Sequence, residues 1–350
     1  MNAPAIIMAA GEGARMLSDT PKPLHNVCGA PMIEHVLRAL DELCPEKIVV
    51  TGQNGEKVEA ACHGRALFAR QDTDEKPGTA QAVEACRSLL AGRTGGVIVT
   101  SADKPLVLRE TYARLLNEIE SGAQAAVLTA LPEKPFGYDR VIRHGGQVTA
   151  VVPEKDLNGG QFSITEVSAA VYAFSIEALF TALDQLPVPE GGERRLHDVI
   201  RLIAQNGGVV RAVPALETAE CAGVNDRVQL ARADEMMRRR INARHMRAGV
   251  TMIDPSRVYI QPDVMIGRDT VLHPGCEIGS GSVIGEGCIL RANCQIVRSS
   301  IGAGAQLGNS LVKDSVIGAG ARLEHAVIEN AAVPDGAVLP PFTCLNRREE

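Results

Sequence analysis

Ile266-Gly267-Arg268-Asp269-Thr270-Val271-Leu272-His273-Pro274-Gly275-Cys276-Glu277-Ile278-Gly279-Ser280-Gly281-Ser282-Val283-Ile284 carries an aliphatic residue at every sixth position, and Leu290 and Ile296 continue the series. Four residues after each aliphatic stands a small side chain: Thr270, Cys276, Ser282, Cys288, Cys294 and Ser300. A period of six matches neither the 3.6-residue helix nor the alternating strand. It builds a parallel β-helix, in which three hexapeptides close one triangular coil, aliphatics stack inside and small residues stand at the corners. Gly267, Gly279 and Gly285 are expected to admit the tight backbone there. Cys276, Cys288 and Cys294 follow the spacing of the repeat itself, so they read as interior positions rather than metal ligands. Past Ile296 the register slips by a residue at Ile301, and Gly302 and Gly318 mark further turns. The stack is expected to continue less regularly to about Val338, about four coils at ~18 residues each.

Upstream of the repeats, Asn225 to Gly249 reads as a helix with Arg238, Arg239, Arg240, Arg244 and Arg247 crowded toward its end. A cationic helix can grip an acidic partner, but a solvated face favoured by the helix dipole is the commoner reason, and we read the segment as a connector. The expected organisation is a first domain over residues 1–227, a linker helix over 228–249 and a β-helix over 250–345.

The first domain alternates β-branched runs with amphipathic stretches, the signature of βαβ units and a mainly parallel sheet. Expected strands are Ala5–Met8, Lys47–Thr51, Ala66–Ala69, Val97–Thr100 and Ala125–Ala130. Ile33, Val36, Leu37 and Leu40, and again Ala82, Val83, Cys86 and Leu89, follow helical spacing and should each lay one face on the sheet. The region Gln147–Phe174 is less regular and reads as a substrate-facing insertion. At 350 residues the chain exceeds the usual single core. Its net charge of -6 and pI near 5.8 oppose a broad nucleic-acid surface. No run approaches the ~18 apolar residues of a membrane span, and Met1–Pro4 lacks a leader pattern, so a cytoplasmic location is expected. The nine cysteines include no C-x-x-C pair and read as reduced structural thiols.

Within that domain, Ile6-Ile7-Met8-Ala9-Ala10-Gly11-Glu12-Gly13-Ala14-Arg15-Met16 runs from a buried strand into a glycine-bearing turn, followed by Lys22. Such turns expose backbone N–H groups that cradle phosphate oxygens, and Arg15 and Lys22 can add a planar fork and a point charge. The same pattern also occurs in ordinary strand-to-helix turns. A Walker A loop is excluded, because no Lys-Ser or Lys-Thr follows the second glycine. Ser101-Ala102-Asp103-Lys104-Pro105-Leu106 follows a strand, which puts Asp103 at its carboxyl end, where a carboxylate suits Mg²⁺ or caps a turn.

Ala9-Ala10-Gly11-x-Gly13-x-Arg15-Met16, then Pro21-Lys22-x-Leu24-His25, then Gly29-x-Pro31-Met32, resembles the opening of the bacterial N-acetylglucosamine-1-phosphate uridylyltransferases, members of the sugar nucleotidyltransferases. The usual loop threonine is Ala14 here. The resemblance implies a Rossmann-like nucleotidyltransferase domain followed by a short left-handed parallel β-helix, a fold that usually assembles as a trimer. It implies a nucleotide cradle of Ala9, Ala10, Gly11 and Gly13. Ser101–Leu106 resembles the family's G-D-x-P-L motif with Ala102 for glycine, and Gly223-Val224-Asn225-Asp226-Arg227 resembles G-V-N-x-R, so Asp103 and Asn225 are the implied protein ligands to Mg²⁺. By the same resemblance Gln71 and Gly78-Thr79, in Lys76-Pro77-Gly78-Thr79-Ala80, meet the uracil base, although Thr79 is also a natural N-cap. Gly137, in Phe136-Gly137-Tyr138-Asp139-Arg140, and Glu154 are the implied sugar contacts. Two positions depart from the pattern: Pro153 stands where the family has its hydroxyl-binding glutamate, and Ser168 replaces an asparagine amide. Both bear on the sugar accepted.

The implied reaction is attack by a sugar 1-phosphate on the α-phosphorus of UTP with loss of pyrophosphate. The attacking phosphate is already anionic, so positioning and charge neutralisation carry catalysis, with Lys22 on the α-phosphate and sugar phosphate and Arg15 on the departing pyrophosphate. N-acetylglucosamine 1-phosphate is the first choice of acceptor. A different sugar 1-phosphate or nucleotide, and a non-catalytic nucleotide-sugar sensor, are the alternatives. UTP, a sugar 1-phosphate and further copies of the chain are the expected partners, without nucleic acid or membrane. The family's bifunctional members carry an acetyltransferase in further coils. This sequence stops at Glu350, His325 is the one candidate histidine in its later coils and its surroundings do not match, so acetyl transfer is expected to be absent.

Overall fold

A computed structural model describes residues 3–52, 55–72, 78–187 and 193–346. Met1, Lys76, Pro77 and Glu350 lie outside the described residues. Contacts divide the chain into two units, Met1–His25 with Pro31–Ala233, and Asn26–Ala30 with Asp234–Glu350. No helix among the described residues is long and apolar enough to cross a membrane.

The first unit is built on a sheet ordered Val210–Pro214, Ala125–Ala130, Val167–Ser175, Gly96–Ser101, Ala5–Met8, Lys47–Thr51 and Leu67–Arg70. Neighbours run parallel except Val167–Ser175, which is antiparallel to both of its own. A hairpin of Asp139–His144 and Gln147–Val152 hangs off that strand. Ala5–Met8 lies inside the sheet between two parallel partners and its first three residues are fully buried, which explains its unbroken apolar run. Helix Met32–Leu40 lays Ile33, Val36, Leu37 and Leu40 on the sheet as its spacing predicts.

The second helical stripe, Ala82, Val83, Cys86 and Leu89, also faces the core, although its α-helix ends at Glu84 and a 3-10 turn spans Arg87–Leu90. Leu90 is fully buried beside it, and Leu89 packs half-buried against the same cluster. Cys86 is fully buried, as a core residue should be.

The second unit holds a left-handed parallel β-helix, with three parallel sheets of five, six and five strands. Leu272, Leu290, Leu307 and Leu323 stack in one interior column, and Ile278, Ile296, Val312 and Ile328 in another. The stack runs past Val338, because Cys344–Asn346 pairs with Val327–Glu329. Coils contract as the chain proceeds: Leu272 to Leu290 is eighteen residues, Leu307 to Leu323 sixteen. Each step shortened to five residues turns on a non-glycine residue with positive φ, namely Arg298, Asn309, Asp314, His325 and Asn330. Asparagine and aspartate tolerate that conformation better than most side chains.

The first short step moves the small corner residue. Ser299 takes the buried place, while Ser300 is exposed on the following strand. Ser299, Ser310 and Ser315 each donate from Oγ to a carbonyl two residues back and accept a backbone N–H from the next coil, at 2.7–3.1 Å. The glycine expectation also changes. Gly267 and Gly285 do not adopt positive φ; a Cβ on them would meet the next coil's backbone at Glu286 N (2.5 Å) and Ala303 N (2.6 Å). Cys276 and Cys294 point inward in one column, and Cys288 belongs to another with Thr270.

Helix Arg227–Arg247 is not simply a solvated cationic face. Arg238 is largely buried, its guanidinium 4.7 Å above the Tyr259 ring and 3.6 Å from Asp234, and Arg244 Nη2 donates to Pro262 O at 2.9 Å.

Candidate active site

The first strand ends at Met8, and neighbouring strands hold the residues just beyond it: Ala9 N donates to Val50 O at 2.8 Å, and Ala102 N to Met8 O at 3.0 Å. Gly13, at φ 67°, lets the chain turn into the 3-10 segment Ala14–Met16, and a Cβ there would meet Lys22 Cβ at 2.6 Å. The turn Lys22–Leu24 then aims Lys22 at the carboxyl ends of the parallel strands. Asp103 follows the strand Gly96–Ser101, and Val224 N donates to its carbonyl at 3.1 Å, which brings Asn225 alongside. Asn225 is steadied by its own N–H donating to Gln229 Oε1 at 2.7 Å.

These contacts converge. Lys22 Nζ donates to Asn225 Oδ1 at 2.8 Å and to Asp103 Oδ2, joining residues 81 and 203 positions apart in sequence. Burial alone would raise the Asp103 pKa, but the ammonium groups of Lys22 and Lys104 outweigh it and hold the carboxyl below its ordinary range. The surrounding cleft, of about 430 Å³, is walled by Ala9, Ala10, Gly11, Lys22, Gln71, Gly78, Thr79, Asp103 and Asn225. Gln71 Nε2 donates to Gly78 O at 3.0 Å. Gly78 has φ 121°, and a Cβ on it would collide with Arg194 O. Thr79 is the first residue of its helix rather than the N-cap, which is Gly78. Its Oγ1 instead accepts from Leu196 N at 2.9 Å.

The other expected residues lie elsewhere. Arg15 is exposed on the loop, outside the cleft wall. Gly137 and Glu154 meet each other, Gly137 N donating to Glu154 Oε2 at 2.8 Å, while the buried Arg140 also reaches Glu154. Ser168 is buried and its Oγ accepts from Ala170 N at 3.1 Å, satisfying the backbone of the bulge in Val167–Ser175.

Two arrangements were not assigned from sequence. Lys104 joins the cleft wall, its Nζ donating to Cys221 O at 3.0 Å, and burial lowers its pKa. Arg227 ties the loop together: Nε donates to Met16 O at 3.1 Å and Nη1 reaches His25 Nδ1 at 3.2 Å. Burial and the guanidinium lower the His25 pKa, and since arginine only donates, Nδ1 is the acceptor of a neutral ring. Lys104, His25 and Arg227 each sit inside one of the sequence motifs, which was the available signal.

A mostly parallel sheet with phosphate-cradling backbone, lysine and hard oxygen donors at its strand ends is the architecture of a nucleotide-phosphate transferase, here carried in one chain with a hexapeptide β-helix. The family of MobA-like NTP transferase domains matches residues 5–213, and the bacterial transferase hexapeptide family matches 263–298. The bifunctional protein GlmU of Shouchella clausii is 41% identical over 316 residues, covering 89% of this chain and 69% of that protein. The bifunctional protein GlmU of Listeria innocua is 40% identical over 315 residues, covering 89% and 68%. The chain belongs to the nucleotidyltransferase family that these GlmU proteins represent, and it is an enzyme of that class.

Proposed function

We propose that the enzyme transfers uridylyl from UTP to a sugar 1-phosphate, with N-acetylglucosamine 1-phosphate the preferred acceptor, giving UDP-sugar and pyrophosphate. The observation that carries this reading is the meeting of Lys22, Asp103 and Asn225 beside the Ala9–Gly11 backbone. A sugar-phosphate oxygen forms the new bond to the α-phosphorus, the bond to the bridging oxygen breaks, and pyrophosphate leaves with the electron pair. No proton needs removal from the nucleophile, so the chain's task is orientation and neutralisation of charge. Backbone N–H groups of the loop hold phosphate oxygens, Lys22 bridges donor and acceptor phosphates, and Gln71 with Gly78 borders the base. Arg15, exposed on the loop, is assigned to the pyrophosphate.

The donor set fits Mg²⁺. A carboxylate and an amide oxygen, both hard ligands, face one point, and a cation already lies there in the form of the Lys22 ammonium. Asp103 and Asn225 would hold the ion, and bound Mg²⁺ supplies charge neutralisation for the phosphates. Gly137 and Glu154 are assigned to the sugar. The inward turn of Ser168 favours a second reading at this end, a different sugar 1-phosphate. Highly charged phosphate substrates do not cross bilayers, so we place the reaction in the cytoplasm. We also assign a homotrimer through the β-helix, supported by Met265, Val283 and Val316, exposed along one of its sheets with Ser300 between the last two.

Pyrophosphate release, measured with Mg²⁺ across a panel of nucleoside triphosphates and sugar 1-phosphates, tests the reaction. UTP with N-acetylglucosamine 1-phosphate should give the highest kcat/KM. A faster pair, or no release with any, overturns it. Light scattering tests the trimer.

A further inference from the structure

The cleft continues into a second chamber of about 250 Å³, and Met8, Thr79, Ala170 and Glu193 belong to both walls. The phosphate-side residues Lys22, Asp103 and Asn225 line only the first space. Asp139 and His197 line the second and not the first. Each opens a regular element, Asp139 the strand Asp139–His144 and His197 the helix His197–Gln205, so both are placed by the scaffold rather than by a free loop. Asp139 also pairs in register with Ser168. Ser168 accepts from the Ala170 backbone and does not line the chamber, so of these two neighbours it is Asp139 that meets it.

His197 Nδ1 lies 3.8 Å from Asp139 Oδ2, too far for a direct hydrogen bond. Burial lowers the pKa of His197 against the pull of Asp139 and Asp198, so near neutral pH the ring presents one N–H and one lone pair. Of the other charged groups on this wall, Arg195 is already paired with Asp156 at 2.8 Å. A carboxylate accepts only, whereas a neutral imidazole also donates. A hydroxyl that reaches both can donate to the Asp139 carboxylate and accept from the His197 N–H, satisfying the two groups at once.

We propose that the sugar ring of the acceptor occupies this chamber and that Asp139 and His197 together read one of its free hydroxyls, making the pair the determinant of which hexose 1-phosphate is used. The proposal rests on the transfer reaction above and names the selecting groups of the same site. A site that hydrogen-bonds a hydroxyl rejects the analogue lacking it far more strongly than an apolar pocket distinguishes size.

The test measures KM for both substrates, by pyrophosphate release with UTP, in the wild type, Asp139→Ala and His197→Ala. The acceptors are N-acetylglucosamine 1-phosphate, glucose 1-phosphate and the monodeoxy analogues of whichever is preferred. Each variant should raise KM for the sugar phosphate about tenfold to a hundredfold and leave KM for UTP unmoved. One monodeoxy analogue should be poor for the wild type and show no further loss in the variants. Equal effects on both substrates, or penalties for every analogue that persist unchanged in the variants, overturn the pair's role while the reaction stands. Absence of turnover in the wild type with every acceptor overturns both.

Discussion

Lys22 Nζ donates to Asn225 Oδ1 at 2.8 Å and also engages Asp103, so one ammonium takes both oxygens that the proposed metal site would use. On the proposed Mg²⁺ assignment, lysine and metal ion would compete for the same donors. Phosphates that drew the lysine away would release the two oxygens together, and metal occupancy would then follow nucleotide occupancy.

Replacing Lys22 separates the two roles. Lys22→Met should abolish pyrophosphate release, yet bind Mn²⁺ in the absence of nucleotide at least about tenfold more tightly than the wild type, since an opposing charge is gone and two ligands are free. Calorimetric titration of the two proteins reads the difference. Equal affinities would show that the oxygens are not the ion's ligands.

Arg227 holds Met16 O and His25 Nδ1, the two ends of the segment that carries Lys22. Arg227→Ala should raise KM for UTP about tenfold and lower stability by ~1.5–3 kcal/mol, the range for hydrogen bonds to a charged group. Arg227→Lys, whose single nitrogen cannot span the two acceptors as the guanidinium fork does, should fall between. Steady-state kinetics with urea denaturation provides both numbers.

Acid should act on Asp103 in a defined direction. Its folded pKa is depressed, so its stabilising contribution is fully present above the unfolded value of ~3.9 and fades as pH falls through the folded one. Urea midpoints of wild type and Asp103→Asn should differ by a constant amount from pH 5 to 7, and the gap should narrow as pH falls below about 4. A gap as wide at pH 3 as at pH 7 would assign the difference to packing.

The interior columns of the β-helix carry its stability. Ile296 is fully buried between Ile278 and Val312, so Ile296→Ala should cost ~2–5 kcal/mol and lower the thermal midpoint. Gln295→Ala, on the outer face beside it, should change stability by less than about 0.5 kcal/mol. Calorimetric scans of both variants check the contrast.

How far the sequence could be read depended on how local each determinant is. The β-helix was legible at Ile266–Ile296 because each coil repeats one local instruction. The slip at Ile301 was legible too, but not which residue fills the corner, since the left-handed conformation of Arg298 decides that Ser299 rather than Ser300 turns inward. Within the site, Gly11, Gly13 and Lys22 were readable from one continuous motif. The fate of Ser168 was not, because a bulge in its strand left the Ala170 N–H in need of an acceptor.

By itself, the sequence determined the six-residue period, the strand-to-loop phosphate motif and the division into an α/β domain and a β-helix, all features of spacing within a few residues. Only the tertiary structure decided that Lys22 faces Asp103 and Asn225, that Arg227 clamps the loop, and that Asp139 and His197 share one chamber. Those relationships join distant segments, and their distances are set by the register of parallel strands and the packing of helices on them.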